Sequence, residues 1–243
     1  MITTGDPRSS LPLSSARKTE IVDVANGVSC SDLSDFPVRI IGAVGANLNG
    51  TPVVCEGTFY EYSSSKCYRF TNGVWEDFAS MKEIRSHAAA IMYNKKIHVF
   101  GGISSHSSFL KTSEIISLDG GVIDGPELPI GVWTHAMATL NDTVSILSGG
   151  WTNEHSYSAQ TWYYNHDTEA FTIGPDLLEG RIWHGSATNV DKVTNAKTLI
   201  VTGGHGNGDY ELDSTELLIN GQWQTGTLFY SMHVLILIAI FLS

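Results

Sequence analysis

The chain has 243 residues, 42% hydrophobic and 16% charged, which excludes the charge-rich, apolar-poor composition of a disordered protein. Lys and Arg total 14 against 25 Asp and Glu, for a formal net charge of −11. With no basic run in the sequence, this balance disfavours a nucleic-acid partner. The length allows one large domain or two small ones, and the 24 glycines predict many tight turns.

Residues 1–10 have no basic stretch and no apolar core, so they do not predict a secretory signal peptide.

A short apolar strand that ends in a glycine pair recurs along the chain. Its period of about 50 residues fits a four-stranded unit with its turns. Residues 1–6 and 52–57 are degenerate copies, with Asp6 and Glu56 in place of one glycine. The glycines of the motif are Gly57, Gly101, Gly102, Gly149, Gly150, Gly203 and Gly204.

The strand before each glycine pair also repeats. It carries small residues, and in three units a histidine opens it, while Gly42 takes that place in the second unit. We expect the three histidines to be equivalent: His87, His135 and His184. In the fifth unit the histidine lies further from its glycine pair, which predicts a longer hairpin loop at residues 191–197.

A loop and a third strand follow the glycines. This strand opens with Ser-Glu or Thr-Glu, at Glu20, Glu114 and Glu216. Residues 66–70 and 160–164 are looser copies. An Asn-Gly pair, the strongest short hairpin signal, then leads to a fourth strand that bears Trp75 or Trp223, with Phe171 in the fourth unit. Each unit therefore predicts four strands, and no segment shows the 3.6-residue period of a helix.

The repeats divide the chain into successive units and a tail. The boundaries fall after the fourth strands, so the units cover residues 1–36, 37–82, 83–130, 131–179 and 180–226, and the tail covers residues 227–243.

This pattern resembles the kelch-repeat family of β-propellers over nearly the whole chain. The resemblance rests on the glycine pairs, the Ser/Thr-Glu pairs and the tryptophans, and on Arg85 and Arg181, which lie upstream of the histidines. It implies an all-β fold of four-stranded blades around a central channel, with about five blades present. It also implies that the repeated residues are structural. Glycines allow sharp strand exits, tryptophans pack neighbouring blades and small residues suit the innermost strand.

The apolar tail leaves several alternatives open. Residues 228–242 are too few for a clear membrane span, which needs about 20 apolar residues, yet they could form an anchor. They could instead be clipped or disordered, or they could supply a closing first strand that starts at His233. By resemblance, a closed five-blade ring competes with part of a six- or seven-blade ring. We expect the chain to be an incomplete or divergent gene product of this family.

The chemistry-bearing residues predict neither a metal site nor a catalytic site. The three histidines could converge and bind a metal. However, equivalent residues lie a blade apart, so we expect no metal and no cofactor. The sequence has no nucleophile elbow, no phosphate-binding loop before a helix, and no motif that places the copper and tyrosine set of sugar-oxidase propellers. We therefore expect no catalytic residues.

The cysteines and sequons bear on the cellular compartment. Cys55 and Cys67 fall on neighbouring antiparallel strands, so a disulfide between them competes with three buried thiols, and we favour the disulfide. The pairing of Cys30 stays open. Asn49 and Asn141 begin glycosylation sequons. The stretch from Cys30 to Cys67 resembles secreted invertebrate-type kelch proteins, which implies an extracellular protein. A cytoplasmic location is the alternative.

We expect a non-catalytic binding scaffold with a protein or glycan partner. Loops 103–111, 151–159 and 205–213 are rich in Ser, His, Asn and aromatic residues, and loops on a rigid frame usually carry recognition. A membrane partner is expected only if the tail is an anchor. One alternative is an enzyme with a site in the central funnel, such as a carbohydrate-active oxidase. Another is the substrate-recognition part of a ubiquitin-ligase adaptor that lacks its N-terminal domain.

Overall fold

The structure is a computed structural model, and its elements are β-strands, as the repeats predict. No helix among the described residues is long and apolar enough to cross a membrane. The tail at 227–243, with its predicted closing strand or anchor, lies outside the described residues. The described residues are 2–3, 17, 19–23, 28–30, 33–38, 42–55, 57–59, 62–154, 156–191, 193–208 and 210–226.

The first unit forms a three-stranded antiparallel sheet. Its strands pair in chain order and are β1 (Ile2–Thr3), β2 (Glu20–Asp23) and β3 (Val28–Cys30). This places residues 2–3 beside the Ser/Thr-Glu strand, which is the position predicted for a second strand.

The second and third units each form a four-stranded antiparallel sheet. The strands of the second unit, with a small ribbon (β6 and β7) in its loop, are β4 (Val44–Leu48), β5 (Thr51–Cys55), β6 (Thr58–Phe59), β7 (Tyr62–Ser63), β8 (Lys66–Thr71) and β9 (Val74–Ser80). Those of the third unit, where β10 and β13 form the ribbon, are β10 (Arg85–Ser86), β11 (Ala89–Tyr93), β12 (Lys96–Phe100), β13 (Ile103–Ser104), β14 (Ser113–Ile116) and β15 (Val122–Asp124).

The fourth and fifth units repeat this plan. The strands of the fourth unit, where β16 and β19 form the ribbon, are β16 (Val132–Trp133), β17 (Ala136–Thr139), β18 (Val144–Ser148), β19 (Trp151–Thr152), β20 (Thr161–Asn165) and β21 (Ala170–Ile173). Those of the fifth, where β24 and β25 form the ribbon, are β22 (Gly185–Val190), β23 (Lys197–Thr202), β24 (His205–Gly206), β25 (Tyr210–Glu211), β26 (Thr215–Ile219) and β27 (Gln222–Gly226).

In each four-stranded sheet the strands pair in chain order, so each sheet is a meander with two ends. The turns between first and second strands and between third and fourth strands lie at one end, which we call the hairpin end. The loops after the glycine pairs and the connections between units lie at the other, which we call the glycine end. At the hairpin end, Asn72 and Gly73 both have positive φ, as do Asn220 and Gly221, so the two Asn-Gly pairs form the predicted turns.

The four-stranded sheets pack on one another through apolar cores. The first strands β4, β11, β17 and β22 contact each other in succession. Between the second and third sheets, Val53 and Val99 are buried in one core. Phe100 and Leu147 belong to the next core, and the last core contains Leu199 with other residues of the fourth and fifth units. A single sheet would leave these faces in water, so each unit is stabilised by its neighbours.

A ladder of backbone hydrogen bonds also joins successive units near the start of each first strand. The N–H of His87 donates to the carbonyl of Gly42 (2.8 Å), that of Thr134 to His87 (2.9 Å) and that of Trp183 to Thr134 (3.0 Å). All four residues have φ between +53° and +63°, a region that favours glycine. The inter-unit bonds offset the strain of placing a β-branched threonine there.

The glycine pairs likewise combine positive φ angles with hydrogen bonds to the next unit, here at the end of the second strand. Gly101 and Gly102 have φ of +62° and +94°, and Gly149 and Gly150 have nearly the same values. The second glycine of each pair donates its N–H to the next unit, from Gly102 to the Val132 carbonyl at 2.8 Å and from Gly150 to the corresponding carbonyl of the fifth unit at 2.9 Å. The repeat therefore conserves a backbone conformation together with an inter-unit contact.

Candidate binding site

The repeated arginine and glutamate form a buried ion pair inside each unit that carries them. In the third unit, Arg85 Nη2 lies 2.8 Å from Glu114 Oε1, and Arg85 also donates to the carbonyls of Gly101 and Thr112. The Glu114 carboxylate accepts the N–H of Lys82 at 2.6 Å as well. The pair thus joins the connection entering the unit to its glycine turn and its third strand.

The fifth unit repeats this network. Arg181 Nη2 lies 2.6 Å from Glu216 Oε1, and Arg181 donates to the carbonyls of Gly203 and Ser214. Both side chains are almost completely buried. In the fourth unit, Val132 and Trp162 occupy the two positions, so the charges are lost together. Losing one alone would leave the other buried and unpaired at a cost of several kcal/mol, about 3–5 in typical cases.

The strand register corrects the predicted equivalence of the three histidines. His135 and His184 directly precede the paired residues Ala136 and Gly185, whereas His87 lies two residues before Ala89. The β17–β18 hairpin is one residue longer than the β11–β12 hairpin, and this compensates for the shift, so the spacing to the glycine is the same. His87 is therefore equivalent to Thr134 and Trp183, which share its positive φ, and the position of His135 and His184 is occupied by Ala88 in the third unit.

His135 and His184 are buried against the first glycine of the preceding unit. A Cβ added at Gly149 would lie 2.6 Å from His184 Cε1, and one at Gly101 would lie 3.0 Å from His135 Cε1. His184 Nε2 is 3.0 Å from Ser148 Oγ, while neither ring nitrogen of His135 has a partner among the described residues. Burial lowers the pKa of both histidines to about 3, so both rings are neutral near pH 7.

The fourth-strand tryptophans link units through hydrogen bonds. Trp75 Nε1 donates to Thr19 Oγ1 at 2.9 Å, and Trp223 Nε1 donates to the Pro175 carbonyl, also at 2.9 Å. In each case the acceptor belongs to the preceding unit. The register places Phe171 at the equivalent position of the fourth unit, as expected. Of the other motif residues, Glu20 lies opposite Thr3, and Gly57 is buried.

A disulfide joins Cys55 and Cys67, as favoured from the sequence. The two residues are directly opposite each other on β5 and β8, with Cα atoms 3.9 Å apart. In the fifth unit, Thr202 and Thr215 hold the same cross-strand position, and their hydroxyls are 2.8 Å apart. The second unit therefore has a covalent link where the fifth has a hydrogen bond.

Aromatic side chains from three successive units meet at the glycine end and form what we call the aromatic face. It consists of Phe109, Trp133, Trp151, Tyr157 and Trp183, all half-buried. Trp133 is central, with ring centroids 6.0 Å from Phe109, 5.8 Å from Trp151 and 6.4 Å from Trp183. Trp151 and Tyr157 stack at 6.0 Å. Two of the three predicted recognition loops, 103–111 and 151–159, therefore meet on one surface.

The third predicted loop borders the aromatic face. The ring of His205 lies 5.3 Å from that of Trp183, and His205 pairs across the ribbon with Glu211. Tyr210, which is 51% exposed, donates its hydroxyl to Glu179 Oε1 at 2.5 Å. The hydrogen bond to Glu179 raises the pKa of Tyr210. This edge of the face therefore combines aromatic rings with carboxylates.

A second polar and aromatic cluster, which the sequence did not indicate, lies at the hairpin end between the third and fourth sheets. Tyr93 stacks on His166 with ring centroids 3.9 Å apart, and His98 lies 5.9 Å from His166. His166 Nε2 is 2.9 Å from Ser145 Oγ. Burial lowers the pKa of His98 to about 4, with contributions from His166 and Lys96, and burial also lowers the pKa of His166.

The Ser145–His166 and Ser148–His184 contacts are enclosed in the packed interior. Ser145 is 0% exposed and Ser148 is 1% exposed, so neither hydroxyl is open to a substrate. Within the described residues, no three His, Cys, Asp or Glu side chains lie close enough to hold a metal ion. Ser145 and His166 pair inside the fourth unit, whereas Ser148 and His184 link the fourth unit to the fifth.

The two sequon asparagines lie at the hairpin end, away from the aromatic face. Asn49 is exposed in the β4–β5 turn, and Asn141 is exposed in the β17–β18 hairpin. The Asn141 Oδ1 atom accepts the N–H of Thr143 at 3.0 Å. Glycans on both sites would leave the glycine end uncovered.

Comparison with protein-family models finds no match, and comparison with curated proteins finds none either.

Proposed function

We propose that the chain is a non-catalytic binding scaffold with a kelch-type β-propeller fold, which recognises a protein or glycan partner at its glycine end. The observation that carries this proposal is the aromatic face. Three repeats contribute to it, and its rings lie half-buried on the ribbons, loops and unit connections outside the four-stranded sheets. Tryptophan and tyrosine are among the side chains that most often dominate the binding energy at interfaces.

The propeller assignment is supported by the contacts between successive sheets. First strands that neighbour one another, a backbone ladder between units and a core between each pair of sheets are the features expected of blades around an axis. We propose about five blades, as a closed ring or as part of a six- or seven-blade ring. The rigid sheets would then hold the loops in fixed positions.

We further propose that the protein is extracellular. The Cys55–Cys67 disulfide supports this because such bonds persist in oxidising compartments. Two exposed sequons, Asn49 and Asn141, are consistent with it. Carriage of glycans at the hairpin end would leave the aromatic face as the uncovered end of the molecule.

The test is a binding screen of the purified protein on glycan and peptide arrays. A variant with Trp151→Leu and Tyr157→Leu removes two rings of the aromatic face, and Tyr93→Leu serves as the matched ring removal at the hairpin end. We expect ligands that bind the natural protein and the Tyr93 variant but not the double variant. Ligands that bind all three proteins equally, or no ligands at all, would reject the aromatic face as the binding site.

A further inference from the structure

The charges around the aromatic face distinguish between its possible ligands. Of the described residues in the three loops, Glu154, Glu211 and Asp213 are exposed carboxylates, and Lys111 is the single Lys or Arg. Glu154 lies in the loop that bears Trp151 and Tyr157, and its N–H donates to Thr152 Oγ1. Glu211 lies opposite His205, at the edge next to Trp183. The rim of the face is therefore negative.

The nearby arginines do not offset this charge. Arg85 and Arg181 have side chains with 0% exposure, and each is neutralised by its own buried glutamate. Glu179, which accepts the Tyr210 hydroxyl, adds a further carboxylate beside Gly206. The protein as a whole carries a formal charge of −11, so its long-range field has the same sign as the rim.

We propose that the aromatic face binds a cationic ligand, namely Lys or Arg side chains of a basic segment of a partner protein. This inference rests on the proposed function and names the ligand chemistry of the same site. Indole and phenol faces attract cations through their ring quadrupoles, and guanidinium groups also stack on them. Carboxylates at the rim add charge-assisted contacts and speed association. A neutral oligosaccharide would use the rings and could donate hydroxyls to the carboxylates, but it would gain no long-range attraction from the negative charge.

The experiment is a titration of the full chain with a hexa-arginine peptide, followed by tryptophan fluorescence and by calorimetry, with hexaglycine as the neutral comparison. We expect hexa-arginine to bind and hexaglycine not to bind. Raising the salt concentration from 50 to 500 mM should weaken binding by about tenfold because exposed charges are then screened. Absence of hexa-arginine binding, or binding that salt does not weaken, would overturn the proposal.

Variants that replace carboxylates with amides test where hexa-arginine binds without removing a ring. Glu154→Gln with Glu211→Gln should weaken hexa-arginine binding by about fivefold, a magnitude typical of two exposed charge contacts. Glu76→Gln with Glu169→Gln, which lie away from the glycine end, removes the same net charge and should change binding by less than about twofold. Equal losses in the two double variants would overturn the proposal, because a non-specific attraction to net charge would then explain the binding.

The array screen separates this inference from the proposed function. Neutral glycans that bind through Trp151 and Tyr157, and that do not depend on the rim carboxylates, would overturn the cationic ligand and leave the binding site in place. Hexa-arginine binding that survives loss of both rings and of the rim carboxylates would overturn the cationic ligand, whereas the proposed function is rejected only if the array yields no ligand that depends on Trp151 and Tyr157. Because the carboxylates are exposed, the Gln variants should keep the thermal unfolding midpoint of the natural protein.

Discussion

Arg85 and Arg181 are fully buried, and each is stabilised by a carboxylate and by backbone carbonyls. A buried ion pair is not a large net source of stability, because desolvation offsets much of the attraction. Removing only one partner of the pair lowers the free energy of unfolding strongly, because the other charge stays buried. The fourth unit illustrates the alternative, since it replaces both partners with Val132 and Trp162 and keeps the same four-stranded sheet.

We predict that Glu114→Gln lowers the free energy of unfolding by about 3 kcal/mol, because Arg85 then keeps a buried charge with only the longer contact to the partly exposed Glu83 carboxylate. The double variant Arg85→Met with Glu114→Leu should lose less stability than the sum of the losses in the two single variants. The difference, the coupling energy, should be at least about 1 kcal/mol. Urea unfolding measures both values. Arg69→Gln, which breaks the exposed pair with Glu76, is the control and should cost less than about 1 kcal/mol.

Gly101 and Gly149, the first glycines of their pairs, have to fit both a backbone angle and a neighbouring histidine ring. We predict that Gly149→Ala costs at least about 3 kcal/mol, because its Cβ would add strain at φ +60° and overlap with His184 and the Arg181 carbonyl. Gly73→Ala is a matched control: its φ is +81° and nothing lies within 4 Å of the added Cβ. It should cost only about 1 kcal/mol of backbone strain. Equal costs in urea unfolding would mean that the contact with His184 is unimportant.

Among the elements, the interface between the third and fourth sheets differs from the others because it contains His98 and His166. The position of His98 is Val53 in the second unit and Ile146 in the fourth. The pKa of His98 is about 4 in the folded protein against 6.5 for an unperturbed histidine. The unfolded chain therefore binds the proton first as the pH falls, so the folded state loses stability below about pH 6.5.

We predict that the free energy of unfolding falls by about 1.4 kcal/mol per pH unit for His98 alone between about pH 6.5 and pH 4. The other buried histidines add to this slope. His98→Val should reduce the slope by that amount, whereas Ile146→Val, at the equivalent position of the fourth unit, removes no titratable group and should leave it unchanged. Urea unfolding at several pH values gives the slopes. A His98→Val variant with the natural slope would show that this interface does not sense acid.

The disulfide covalently links β5 and β8 of the second unit. We predict that Cys55→Thr with Cys67→Thr, which copies the hydroxyl pair of the fifth unit, lowers the free energy of unfolding by about 2–3 kcal/mol because a short loop is no longer closed covalently. Intact mass after alkylation provides the direct check of the bond. The natural protein should show a two-proton deficit that reductant abolishes, whereas three alkylated cysteines without reductant would contradict the bond.

For the whole molecule, the repeats indicated which residues form strands, where the turns lie and which cysteines pair, because these depend on local patterns. The longer loop after Val190, for example, follows from the count between His184 and Gly203. The register of His87 could not be obtained in this way. His87 lies one residue further from the first paired residue than His135 does, but the β11–β12 hairpin is one residue shorter, so both histidines are the same distance from their glycine pairs. Spacing alone cannot distinguish the two arrangements.

The aromatic face was only partly predictable for a related reason. The sequence singled out the loops, but Trp133 lies on the ribbon strand β16 and Trp183 lies just before β22, and their repeat positions differ from each other by one residue. Contacts such as Trp133 with Trp183 depend on how neighbouring sheets pack. The hairpin-end cluster of Tyr93, His98 and His166 likewise depends on packing between two sheets, and no single segment carries its pattern.

Oxidative footprinting tests the claim that the glycine end is the binding end most directly. The protein is exposed to hydroxyl radicals with and without the array ligand that binds most tightly, and side-chain oxidation is read by mass spectrometry. We predict that the ligand protects Trp151, Tyr157 and Tyr210, while oxidation at Met92 and Tyr93 of the hairpin end stays the same. Protection at the hairpin end, with the aromatic face still oxidised at its free rate, would contradict the claim.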